Sequence, residues 1–144
     1  AASIRSSGLR SAAAIRAALG KAPTAAAGVQ VIFAALARDL ERSRFLYGCP
    51  IGTPATEAAA VSDQIQAACR EVFDAWVAAY RDALVAEGWA EAAADTQALA
   101  IVTAYEGSVT IARALRNTAP VVTTGEDLIA RIEAGDTKTS EEDR

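Results

Sequence analysis

Histidine and methionine are both absent from this 144-residue chain. Without histidine, the commonest general base and metal ligand are missing. Only two cysteines occur, Cys49 and Cys69, too few and too far apart for a metal knuckle or a C-x-x-C redox pair. Two reduced thiols are expected, with a disulfide between them as the alternative. No uninterrupted apolar run reaches the roughly 18–20 residues of a membrane helix, because charges recur along the segments. No charged-then-apolar leader opens the chain, and the expected location is cytoplasmic. There is no glycine-rich nucleotide loop, paired-His motif or helix-turn-helix with a basic recognition helix. With no initiator Met and no cap before its first helical residues, the chain reads as a fragment or processed product.

What is present favours helix. Alanine fills 37 positions, and β-branched residues are scattered rather than clustered. Alanine is the strongest helix former and allows close approach between helices. The net charge of −4 is unevenly spread. Residues 1–44 hold seven Lys/Arg against two Asp/Glu, and residues 45–144 hold seven against sixteen. An acidic bulk is poorly suited to tracking phosphates. Arg5, Arg10, Arg16 and Lys21 either solvate one helix or mark the end nearest a DNA-binding partner domain.

Periodicity predicts six helices and no strand. Ile4, Gly8, Ala12, Ile15 and Leu19 make one stripe of a helix over about 2–19, with Gly20 as its stop. Pro23 suits the first turn of the next helix, whose buried face holds Val29, Ile32, Phe33, Leu36 and Leu40. Gly48, Pro50 and Gly52 break the pattern. Thr53 with Pro54 then predicts a short helix to about Ala60. Ser62 caps a long helix over about 63–87, closed by Gly88, with Cys69, Val72, Phe73, Trp76, Tyr80 and Leu84 inside. A second long helix spans about 90–116 with Asn117 at its end. Thr123 and Glu126 form a capping box for a last helix holding Leu128, Ile129 and Ile132, stopped by Gly135. The polar residues 136–144 are expected to be a disordered tail.

Two features could carry function. Between Asp95 and Arg113 the only charge is Glu106, and apolar residues line both sides of that helix. Leu99, Val102, Tyr105, Val109 and Ala112 form one stripe. Ile101, Ala104, Ser108, Ile111 and Leu115 form another, which a small domain cannot easily bury, so a dimer face is expected there. The alternative is a central helix surrounded by its own domain. Aromatic Phe33, Phe73, Trp76, Tyr80 and Tyr105 lie on buried stripes of three helices, as either pocket walls or ordinary core. Glu106, alone in its apolar run, should find a partner wherever it is buried. It has no second group at useful spacing for acid/base work, so no enzyme, metal or cofactor is expected.

Gly48-Cys49-Pro50-Ile51-Gly52 followed by Glu57-Ala58-Ala59 resembles the loop and short sixth helix of LmrA/YxaF-like TetR regulators. Ile65-Gln66-Ala67-Ala68-Cys69 leading to Trp76 is similar to the seventh helix of that branch. Tyr105-Glu106-Gly107 through Ala112-Arg113-Ala114 is like its eighth. The resemblance covers about residues 3–134, and the order and spacing of the three segments give it specificity. It implies an all-α, six-helix C-terminal domain over 1–135, beginning at the helix that links it to an absent helix-turn-helix domain.

The resemblance further implies a homodimer made by the last two helices as a four-helix bundle, with Leu128 and Ile132 joining Ile101, Ala104, Ser108, Ile111 and Leu115. It implies a pocket for a small apolar or aromatic effector among Phe33, Phe73, Trp76, Tyr80, Tyr105, Glu106 and Ile51. Effector binding would release operator DNA, which the parent protein contacts only through the missing domain. The rival classes are a dimerisation or adaptor module with a filled core, and a small helical enzyme.

Overall fold

The computed structural model describes the backbone of residues 1–142 and the side chains of residues 1–135. Six helices are present, α1 (Ala2–Lys21), α2 (Ala25–Arg42), α3 (Gly52–Glu57), α4 (Asp63–Ala86), α5 (Glu91–Leu115) and α6 (Ala119–Glu142), with no strand among the described residues. The all-α expectation holds. The expected tail at 136–144 lies outside the residues whose side chains are described.

Local chemistry explains where the helices start and stop, and it corrects several expectations. Gly20 does not end α1, which continues to Lys21 and stops at an extended Ala22. Pro23 stays outside α2, because the Thr24 side chain caps it, accepting from the Ala27 N–H at 3.1 Å. Ile51, not Thr53, is the residue before α3, and no side chain caps that helix. Ser62 does cap α4, accepting from the Ile65 N–H at 3.3 Å. Gly88 turns the chain after α4 with φ +99, a conformation that suits only glycine.

At the last junction, Arg116 rather than Asn117 takes the left-handed conformation that closes α5. The Asn117 side chain instead accepts from the Ala119 N–H at 2.8 Å and starts α6. Helix α6 therefore begins four residues before Thr123, and the expected capping box lies inside it. Pro120 tolerates this place because a first-turn N–H has no helical partner anyway. Nor does Gly135 stop α6. A Cβ there would overlap the Trp89 ring, so the glycine makes room for an indole.

The packing is organised in pairs. Helix α1 runs along α4, α2 runs along α6, and α5 lies against both α4 and α6. Contact between α1 and α2 is sparser, and α2 barely meets α4. Alanines make the close approaches possible: Ala68, Ala94, Ala98 and Ala112 are fully buried. Helix α5 is long and apolar enough to cross a membrane by length and composition alone. Here its Ala94, Ala98, Ile101, Val102, Val109 and Ala112 supply the interior of the bundle.

Candidate functional site

A cavity of about 290 Å³ opens where α1 meets α2. Ser11, Ala14, Ile15 and Ala18 of α1 face Val31, Ile32 and Ala35 of α2 across it. Val102 and Tyr105 of α5 and Trp76 and Tyr80 of α4 also line it, as do Cys49 and Pro50 of the preceding loop. The small side chains at 14, 18 and 35 leave the space, and the aromatic rings supply its wall.

Trp76 is fixed from two directions. Its indole N–H donates to the Gly8 carbonyl at 2.9 Å, and its ring stands edge-on to Tyr105 at 6.5 Å and to Phe73 at 5.5 Å. Burial raises the Tyr80 and Tyr105 phenols above their ordinary range, so both are neutral at physiological pH. Three of the five expected aromatics thus share the cavity. Phe33 does not; it is buried behind Tyr105, edge-on at 5.8 Å, with Gly125 of α6 against its ring. Phe73 borders a different space on the other side of the loop, and Ile51 is fully buried in the core.

That second space, about 720 Å³ and more open, lies between α3 and α5. Glu106 borders it, along with Thr53, Thr56, Thr103 and Thr110. Burial holds the Glu106 carboxyl above the usual carboxylate range, and a hydrogen bond from the Cys49 thiol opposes the rise. Burial, reinforced by the Glu106 charge, pushes the Cys49 thiol up to about 12. Both cysteines are free, and this one stays a thiol with little nucleophilic character. Cys49 lines both spaces.

The loop carrying Cys49 is tied down by Arg113 of α5. Its guanidinium donates to the Phe45 carbonyl at 3.3 Å and to the Leu46 carbonyl at 3.0 Å. Arg44 and Phe45 both take positive φ, 54° and 62°, which side chains other than glycine adopt at a cost. No ion pair among the described residues includes Arg113; its charge is met by main-chain dipoles.

A family model described as "Transcriptional regulator LmrA/YxaF-like, C-terminal domain" matches residues 25–127. The match covers well over half of the chain. The chain belongs to that family, within the TetR class of transcriptional regulators. A protein described as "Uncharacterized HTH-type transcriptional regulator YxaF", from Bacillus subtilis (strain 168), is 24% identical over 100 residues. That alignment takes in 69% of this chain and 52% of YxaF, so the chain spans about half the length of the curated relative it matches. The matched range begins with α2, so α1 lies outside it although it forms one side of the cavity.

The residues expected at a dimer face of this LmrA/YxaF-like domain separate into two groups. Ile101, Ser108, Leu128 and Ile132 are buried within the chain itself and offer nothing to a partner. Ala104 is half-buried, while Ile111 and Leu115 are 52% and 65% exposed. The exposed side of α5 carries Leu99, Ala100, Thr103, Gly107, Thr110 and Ala114 at helical spacing. Both flanks of this helix are indeed apolar, but each is divided: Ile101 and Ser108 of the expected face point into the chain's own core, while Ile111 and Leu115 of the same stripe and Leu99 of the other are exposed.

Sequence reasoning also missed the α1 and α2 residues of the cavity. Ile15 and Ile32 sat on recognised stripes, but Ser11, Ala14, Val31 and Ala35 carry no signal. They matter because of where two helices diverge.

Proposed function

We propose that this domain is the effector-sensing and dimerisation part of a TetR-type repressor, with the effector held between α1 and α2. The observation that carries the reading is the cavity's position at the seam between the α1–α4 and α2–α6 pairs, walled by Trp76, Tyr80 and Tyr105. At about 290 Å³ it sits near the lower end of the roughly 300–1,000 Å³ typical of small-molecule sites. A molecule wedged there favours one separation of the pairs over another, as a population shift requires. The N-terminal reading domain belongs to the longer parent, and release of operator DNA is the output proposed for it. Two copies pair through the exposed side of α5 around Leu99, Thr103, Gly107 and Ile111, together with α6. The proposed location is cytoplasmic.

The test is a screen of planar aromatic compounds in a Trp89→Phe background, where Trp76 is the remaining tryptophan. Quenching together with a raised melting temperature supports the reading. A panel that gives neither supports the second reading, a dimerisation module without a ligand. The open cavity speaks against that alternative, because a module of that kind has a filled core.

A further inference from the structure

Glu106 has an unresolved electrostatic problem. Its Oε1 is buried and makes no hydrogen bond, while Oε2 lies hard against Gly52, where a Cβ would collide with it. None of the ion pairs among the described residues includes Glu106. The nearest cation bordering the same space, Arg113, is engaged by the Phe45 and Leu46 carbonyls. A desolvated carboxylate oxygen without a donor costs free energy until it is protonated or a cation reaches it. The space beside it is large enough to admit one.

The lining matches an ammonium group. The Thr56 hydroxyl donates to the Gly52 carbonyl at 3.1 Å and the Thr110 hydroxyl to the Glu106 carbonyl at 3.0 Å, so both keep lone pairs for accepting. An ammonium brings three donors and no acceptor. An anion would meet Glu106 and also Glu57, which borders the same space. Cys49 borders both this polar space and the aromatic cavity, so a molecule seated in the cavity with a short arm past the thiol reaches towards Glu106.

We propose that the effector is a primary or secondary amine on a planar apolar body, with the body against Trp76, Tyr80 and Tyr105 and the ammonium paired with Glu106. This rests on the effector reading above and adds the charge of the ligand to it. The buried Oε1 then gains the donor it lacks beside the Cys49 thiol, and the pairing is charge-assisted.

The experiment compares two probes of one shape, 2-(2-naphthyl)ethylamine and 2-(2-naphthyl)ethanol. Each is titrated into the 144-residue chain carrying Trp89→Phe, at pH 7, with Trp76 quenching as the readout. The amine is expected to bind at least about tenfold more tightly than the alcohol, and Glu106→Gln to bring that ratio close to one. The wild-type ratio is informative even if the variant folds poorly. Equal binding of the two probes in wild type overturns the cation assignment and leaves the effector reading standing. A preference for the amine that survives Glu106→Gln overturns the role of Glu106. Binding of neither probe overturns both the assignment and the effector reading beneath it.

Discussion

The indole of Trp76 hydrogen-bonds to the Gly8 carbonyl, so the principal aromatic of the cavity wall is also a tie between α4 and α1. Two ion pairs extend the same contact, Arg5 with Glu71 at 2.6 Å and Arg16 with Asp82 at 2.9 Å. Both pairs are solvent-exposed and contribute little individually. The indole bond is buried and contributes more.

Trp76→Phe removes that bond and part of the ring while keeping an aromatic wall. The expected loss is about 1–2 kcal/mol of unfolding free energy in urea. A neutral result would mean that the bond is replaced by water.

Gly8→Ala tests the closeness of α1 and α4. A Cβ there would overlap both γ-carbons of Val72, which is fully buried and branched at the clashing position. Alanine is intrinsically the better helix residue by roughly 1 kcal/mol. The clash should reverse this and leave a net loss of roughly 1–3 kcal/mol. In the double variant with Val72→Ala, the cost should be less than the sum of the two single costs. Simple additivity in denaturant melts would rule out the contact as the cause.

Glu106 sets a pH dependence. Its folded carboxyl is raised by burial above the unfolded value near 4.3. The stability this gives is complete below about 4.3 and lost as pH rises through the raised folded value. Glu106→Gln holds the neutral form permanently, so its melting temperature should exceed that of wild type at neutral pH and converge with it towards pH 4. Parallel curves over this range would contradict the prediction.

The dimer is tested on the outside of α5, not at Ala104 or Ser108. Ser108 is buried, and an arginine there would unfold the chain rather than split a pair. Ile111→Arg and Leu99→Arg, both at exposed positions, should halve the sedimenting mass while leaving helical circular dichroism unchanged. A wild type already monomeric at micromolar concentration would refute the proposed pairing.

The helices were legible because their apolar spacing is regular, and Ser62 and Gly88 mark both ends of α4. The ends of the other helices were less so, since competing caps lie one to six residues apart. Thr24 prevails over Pro23 at the start of α2, and Asn117 starts α6 ahead of Thr123. The burial of Phe33, Trp76 and Tyr80, and the partial burial of Phe73 and Tyr105, could be read from their stripes. Which of them share a cavity could not, because Phe33 and Trp76 are separated by Tyr105 and the crossing of helices decides which side each ring meets. The expected outward stripe of α5 is split for a similar reason, with Ile111 and Leu115 exposed but Ile101 and Ser108 inside. Ile101 and Ser108 look no more buried in the sequence than Leu99 and Thr103.

The sparse contact between α1 and α2 also has a mechanical meaning. A 20-residue helix is roughly 30 Å long, so a tilt of about 5° around its Lys21 end would carry the Ala2 end by roughly 2–3 Å. Helix α4, held to α1 along its length, would be dragged with it, and Gly88 offers a pivot beyond. The cavity lies partway along this arm, so a displacement of a fraction of an ångström at the ligand would be magnified towards the tip. In a two-fold pair the two tips would move in opposite senses, and anything joined to them would feel the combined stroke.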